Sequence, residues 1–318
     1  MKNKIPRTDT LIIYHQVKDN VDCPDGITSA WVAFHKLCQE VNFKLIDIIG
    51  WTYDRPLTES TITLWKKELK LRQIVIVDFS FPAATLEAIA DAGIICTVLD
   101  HHKTALENLA TLSDRILQKF DMTECGATLT WKHYFPDKPV PPFLEYVRDR
   151  DLWDFLLPQT KEIHAALSHL RYQLKDFGNL RLYMLFLLFE RLSRMNAAEI
   201  KEHLIPIGRP LIAEREARIE AIASRYEFIY FQNNDNWYVP VVYLNKDGSE
   251  DRFVSDVCMA LYRQHPDAPF SACYLPSSST WSLRSDKHGN NTDVSAIAKQ
   301  FDGGGHLNAS GFKENNSL

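Results

Sequence analysis

Short apolar runs alternate with helix-patterned segments through the first 120 residues, and several of those runs end in an acid or a histidine. Thr10–Tyr14 reads as a short strand that ends at His15. Gly26–Gln39 carries Ala30, Trp31, Phe34 and Leu37 on one helical stripe. Phe43–Ile49 and Ile74–Val77 read as strands, the second ending in Asp78. Pro82–Asp91 is a helix opened by proline and closed by Gly93. Ile94–Leu99 is a further strand, ending in Asp100-His101-His102. Near-continuous apolar strands separated by helices imply a parallel sheet covered on both faces. In such a sheet, ligands bind in the crevice outside the carboxyl ends of the strands.

The texture changes twice along the chain. From Thr123 to Arg194 it is mostly helical, with candidate helices at Cys125–Tyr134, Phe143–Arg148, Glu162–Leu174 and Leu180–Leu192. Ala197–Arg225 is a long charged helical stretch, expected to be interrupted near Pro206–Pro210. Beyond Tyr226, strands are expected at Phe228–Phe231, Trp237–Leu244, Ser271–Leu275 and Trp281–Ser285, with helices at Val254–Arg263 and Val294–Gln300. The expected architecture is α/β: an N-terminal parallel-sheet domain over 1–195, a helical linker over 196–225, and a smaller α+β domain over 226–318.

Net charge is -5, which argues against a broad electrostatic grip on duplex DNA. A small anionic substrate held by a few local cations is compatible with it. The six cysteines are scattered with no C-x-x-C pair, as expected of reduced thiols in a cytoplasmic protein. Met1–Pro6 is not followed by the long apolar core of a signal peptide. The apolar run Leu182–Phe189 falls far short of the roughly 20 residues that span a bilayer. It reads as either buried core or the face of a homodimer.

The polar strand ends carry the chemistry. His15, Asp78 and Asp100-His101-His102 fall on one edge of the sheet, with Asp22 and Asp25 just before the first helix. Val147-Arg-Asp149-Arg-Asp151-Leu-Trp-Asp154 adds carboxylates after a later helix. A lone aspartate after a buried strand is usually a cap or turn residue, so the coincidence on one edge is what points to a site. Oxygen and imidazole donors without a thiolate cluster favour Mn²⁺ or Mg²⁺. More ligands than one ion needs suggest two ions, which can activate a water and stabilise both oxygens of an in-line displacement at phosphorus.

A second signal lies near the C-terminus. Gly303-Gly304-Gly305-His306 lets backbone N–H groups approach an anion closely. Arg284, in a predicted strand, suits bidentate recognition of phosphate.

These motifs resemble the DHH phosphoesterases, a superfamily that includes nano-RNase and RecJ-like enzymes. Asp100-His101-His102 looks like the triplet that names the family. Asp22-Cys-Pro-Asp25-Gly26 with Ala30 resembles its first motif, Asp78 its second, and Asp149-Arg-Asp151-Leu-Trp its last metal motif. Trp281-Ser-Leu-Arg284-Ser, Asp293-Val-Ser-Ala-Ile-Ala298 and Gly303–His306 through Phe312 resemble the family's associated C-terminal substrate-binding domain.

The resemblance implies an active site in the cleft between two domains and a dinuclear centre, usually of manganese. His15 and Asp78 would hold one ion. Asp25, Asp78, His101 and Asp151 would hold the other, with Asp78 bridging. The spacing to Phe155 favours Asp151 over Asp149. His102 would face the scissile phosphate, and Asp100 would orient the imidazole of His101. Asp22 and Asp149 would stand behind the ligands. Arg284, Gly303, Gly304, Gly305 and His306 would grip a terminal phosphate or base.

The chain departs from the family pattern in three places. Cys23 stands where the first motif often carries an aspartate, so that Asp22 is the alternative ligand there. Val17 to Val21 look inserted after His15. Asp302 stands where a fourth glycine is usual. The implied activity is hydrolysis of short nucleotidic phosphoesters such as nano-RNA, a dinucleotide or a nucleotide phosphomonoester. An exopolyphosphatase or pyrophosphatase, and a non-catalytic nucleotide-binding protein with a degenerate first metal site, are the rival readings.

Overall fold

A computed structural model describes residues 9–18, 21–40, 42, 45–109, 112–234, 236–286 and 292–314. The chain divides into two compact units, 1–211 and 212–318. The first contains β1 (Thr10–Lys18), β2 (Val21–Asp22), α1 (Pro24–Leu37), β3 (Ile46–Trp51), α2 (Glu59–Lys67), β4 (Gln73–Val77), α3 (Ala83–Asp91), β5 (Ile95–Asp100), α4 (Lys103–Asn108), β6 (Ile116–Phe120), α5 (Gly126–Tyr134), α6 (Pro142–Asp151), α7 (Thr160–Gln173) and α8 (Arg181–Ser193). The division falls within α9 (Ala197–Ala223).

β3, β1, β4, β5 and β6 lie side by side in that order, all parallel. Alternate residues of each strand serve opposite faces, the period of a pleated strand. Ile12, Tyr14, Val75, Val77 and Leu99 pack with α1, α5, α6, α7 and α8. Leu11, Ile13, Ile74, Ile76, Cys96 and Val98 pack with α2 and α3 on the other side. The expected two-faced parallel sheet is therefore present. After β1 the chain leaves toward one face through α1, and after β4 toward the other through α3. The carboxyl ends of these adjacent strands thus flank a topological switch point, where crevices form.

β1 runs four residues past its expected end because Gln16 and Lys18 pair with Asp22 and Val21 of β2. Within the expected insertion, Asp19 and Asn20 lie outside the described residues, as do Phe43 and Lys44 of the expected second strand. The apolar run in α8 buries Leu185, Phe186 and Phe189 in the first core.

α9 runs through Pro206 and Pro210 without the expected interruption. Packing offsets the two missing N–H donors. Ile205 and Ile207 lie against the first core, and a Cβ on Gly208 would collide with the carbonyl of Glu162 in α7, so α9 is pressed backbone to backbone against α7.

The second unit forms a mixed sheet in the order β11 (Gly304–His306), β12 (Ala309–Lys313), β10 (Thr280–Arg284), β9 (Ser271–Leu275), β8 (Tyr238–Tyr243), β7 (Glu227–Tyr230). α11 (Val294–Lys299) covers one face with Val294, Ile297 and Ala298. α10 (Val254–Gln264) covers the other with Val257, Cys258 and Leu261. Among the described residues no helix is long and apolar enough to cross a membrane.

Candidate metal centre

Asp78 and the Asp100-His101-His102 triplet stand at the carboxyl ends of β4 and β5, and His15 follows the last residue of β1 paired with β4. Gly26 lets the start of α1 sit directly on β1, because a Cβ there would lie 2.5 Å from the His15 carbonyl oxygen. Asp78 ends β4 in the left-handed conformation, φ 54°, with its N–H donating to the Leu99 carbonyl at 3.0 Å. Aspartate tolerates this backbone better than most residues. The kink leaves the carboxylate buried between two imidazoles. His15 Nδ1 lies 3.5 Å from Asp78 Oδ2, and His101 Nε2 lies 3.1 Å from Asp78 Oδ1.

Asp25, in the first turn of α1, is buried and accepts from the backbone N–H groups of Gly126 at 2.5 Å and Ala127 at 2.8 Å. These are orphan donors at the start of α5, a favourable place for a carboxylate. Its Oδ2 lies 3.7 Å from His101 Nε2, and Asp151 Oδ2 lies 3.5 Å from the same nitrogen. One imidazole nitrogen therefore faces Asp25, Asp78 and Asp151. Gly126 is a site residue that sequence reading passes over. Glu124-Cys125-Gly126-Ala127 shows only a small residue at a helix start, and its partner is about a hundred residues away.

Three assignments behind the ligands change. Asp100 does not orient His101 through its ring. Its Oδ1 accepts from His102 Nδ1 at 2.7 Å, and from the backbone N–H groups of His101 and His102 at 2.8 and 3.3 Å. The chain turns at His101, which brings the ring of His102, not that of His101, back over the acid. Asp149 faces away from His101 and caps the following segment, accepting from Leu156 N, Leu157 N and Thr160 Oγ1. Asp22 accepts from Tyr14 Oη at 2.7 Å and Gln16 Nε2 at 3.0 Å and is ion-paired to Arg181, so it does not join the His15 cluster.

The electrostatics follow from crowding. Burial, then the charges of Asp78 and Asp151, push the Asp25 carboxyl well above the usual carboxylate range. Asp78 goes the other way. Burial works against its charge, but the hydrogen bond from His101 and the close imidazole of His15 outweigh it and hold the carboxyl low. His101 loses solvation yet is pushed up to about 9 by Asp78 and the neighbouring carboxylates. Buried acids held this close need positive charge between them.

The donors fit divalent ions. The ligand atoms of His15, Cys23 and Asp78 lie within 4.8 Å of one another, as do those of Asp25, His101 and Asp151. Asp78, His101 and His102 form a third such group, so Asp78 belongs to two of them. His15 Nδ1 and Asp78 Oδ2 are buried atoms with no hydrogen-bond partner, which suits them to hold a cation.

A cavity of about 710 Å³ opens beside this cluster, walled by Tyr53, Arg55, Phe79 and Phe81. Tyr53 packs on Phe79, with centroids 4.7 Å apart, and on His15 at 5.2 Å. The Arg55 guanidinium lies 4.0 Å over the Trp51 ring. These residues follow the ends of β3 and β4 and were not anticipated from the sequence.

In the second unit, strand register puts Arg284, Ala309 and His306 in one cross-strand row. Arg284 donates to the neutral acceptors Ser255 Oγ, Ser282 Oγ and Leu283 O. Gly303 lies against the Gly311 carbonyl and Phe312, where a Cβ would collide, whereas Gly304 faces open space. Gly305 has φ 143°. Asp302, where a fourth glycine was looked for, adopts φ 58°.

Fold and site define a two-unit α/β protein with a carboxylate–histidine centre at its strand ends. The chain belongs to the same family as the uncharacterized protein R106 of Acanthamoeba polyphaga mimivirus, with 30% identity over 319 residues that span 98% of this chain and 69% of R106. No family model matches the chain. Among solved structures it is similar to PggH, a pGpG-specific phosphodiesterase of Vibrio cholerae (16% identity, 96% of this chain and 92% of that chain, TM-score 0.49). It is also similar to an exopolyphosphatase-related protein of Bacteroides fragilis (16%, 98% and 88%, 0.47) and to RecJ of Thermus thermophilus in complex with Mn²⁺ (14%, 98% and 50%, 0.42).

Proposed function

We propose that this chain is a metal-dependent phosphohydrolase of the DHH type that cleaves short nucleotidic phosphoesters. The observation that carries the reading is Asp78. Its two oxygens face His15 and His101 separately, and His101 in turn faces Asp25 and Asp151. His15 and Asp78 would hold one divalent ion and Asp25, Asp78, His101 and Asp151 the other. Divalent ions held in these positions would polarise phosphoryl oxygens and lower the pKa of an attacking water.

The chain's own residues do the rest. Asp100 accepts from His102 Nδ1 and so fixes that ring. The Asp100 carboxylate also raises the His102 pKa, and in the protonated ring Nε2–H would donate to a phosphoryl oxygen, where charge builds up in the transition state. The cavity beside the centre supports a nucleotidic rather than a purely inorganic substrate, because Tyr53, on its wall, is exposed and offers a ring face to a base.

The test offers the full chain, with Mn²⁺, a labelled dinucleotide, a linear cyclic-dinucleotide product, 3′-phosphoadenosine 5′-phosphate, polyphosphate and pyrophosphate. Release of mononucleotide or phosphate from one of the first three is expected. Turnover of polyphosphate or pyrophosphate alone would reassign the substrate, and turnover of none would overturn the enzyme reading.

A further inference from the structure

We propose that Cys23 is a metal ligand, and that the His15–Cys23–Asp78 position therefore prefers a thiophilic ion such as Zn²⁺ or Co²⁺ over Mn²⁺. The proposal rests on the metal-centre reading above and adds a ligand to it. Cys23 ends the short link from β2 and opens α1, a 14-residue helix. The close seat of Gly26 on His15 holds that end of the helix against the end of β1. The Cys23 sulfur, a His15 ring nitrogen and an Asp78 carboxylate oxygen then fall within 4.8 Å of one another.

Two further observations point the same way. His15 Nδ1 and Asp78 Oδ2 are buried and have no hydrogen-bond partner, although Asp78 is only 1% exposed. Two of the three residues in this group thus carry a buried atom that has no hydrogen-bond partner. The carboxylate best placed to replace the sulfur, Asp22, is committed to Tyr14, Gln16 and Arg181. With Asp22 engaged, Cys23 is the third donor at hand.

The chemical consequence is selectivity. A site of imidazole, carboxylate and thiolate is softer than the imidazole and three carboxylates around His101, so the two positions would rank metals differently. When the ion binds, the Cys23 S–H bond breaks, a sulfur–metal bond forms and the proton passes to solvent.

The experiment strips metal from the full chain and reloads it with Co²⁺. It reads cobalt content and the near-ultraviolet sulfur-to-cobalt charge-transfer band, for the parent chain and for Cys23→Asp, Cys23→Ser and Cys38→Ser. The parent should bind about two ions per chain, as a dinuclear centre requires, and show the band. Cys38→Ser should keep it. Cys23→Asp should keep the cobalt content and lose the band, and its first position should shift toward Mn²⁺ in a Zn²⁺/Mn²⁺ competition. Cobalt bound without the band in the parent, or a band that survives in both Cys23 variants, overturns the ligand assignment and leaves the phosphohydrolase reading intact. No cobalt bound at all overturns both. The band in the parent chain is informative even where a Cys23 variant does not fold.

Discussion

Gly126 N–H donates to Asp25 Oδ2 at 2.5 Å, and the same glycine leaves no space for a side chain. A Cβ there would lie 2.7 Å from Asp78 Cβ and 2.8 Å from Asp25 Oδ2. The start of α5 therefore holds Asp25 by its backbone and stays clear of Asp78 by having no Cβ. Gly126→Ala should push these acids apart and cost about 1–3 kcal/mol, the usual penalty of overpacking. Metal affinity should fall as well. Urea denaturation with a metal titration checks both, and unchanged affinity would remove Gly126 from the site.

Asp78 is the shared acid, so its loss should be felt in both metal positions. Asp78→Ala should lower the bound-ion count and reduce phosphohydrolase activity by at least about 10³-fold, the upper range for loss of one electrostatic contact. Asp78→Asn separates charge from shape. It keeps the volume and removes the negative charge, and should fail almost as badly. Metal analysis after dialysis, beside initial rates, is the measurement. Full activity in either variant would refute the shared role.

The candidate metal edge was legible because parallel strands announce themselves as apolar runs, and the residue after each run falls near a carboxyl end. His15, Asp78 and His101 are placed by that logic alone. Asp22 and Asp149 misled because a carboxylate beside a motif looks the same in sequence whether it faces an ion or an Arg181 far along the chain. Asp100 misled because the ring it holds is decided by a backbone turn. β6 passed unnoticed because Leu117, Gln118 and Lys119 are exposed and its pattern is not apolar. Pro206 and Pro210 suggested a break in a helix that packing against α7 keeps whole.

Asp149 and Asp151 lie two residues apart in α6 and do different work, which a pair of variants separates. Asp149→Ala removes the acceptor for Leu156 N, Leu157 N and Thr160 Oγ1. The buried Thr160 hydroxyl and two part-buried N–H groups left without their acceptor should cost about 3 kcal/mol of stability, with the number of bound ions unchanged. Asp151→Ala should do the reverse, weakening metal binding by roughly 10-fold or more with little change in the unfolding midpoint. Calorimetric metal titration and chemical denaturation of both variants decide it. The opposite pattern would exchange their roles.

His164 on α7 gives the first unit a pH dependence of its own. Burial, and then the charges of Arg150 and Arg171, lower its pKa to about 4. The fold therefore favours the neutral ring, while the unfolded chain takes up a proton near the ordinary value of about 6.5. Between those values the unfolded state binds more protons, so stability rises with pH. The contribution of His164 is complete above about pH 6.5 and is lost as pH falls toward 4. The loss should be on the order of 3 kcal/mol. His164→Gln cannot take up that proton, so the stability difference between parent and variant should shrink or invert as pH falls from 7 to about 4.5. Denaturant midpoints for the two proteins across that range are the measurement, and parallel curves would show that His164 is free to charge in the folded state.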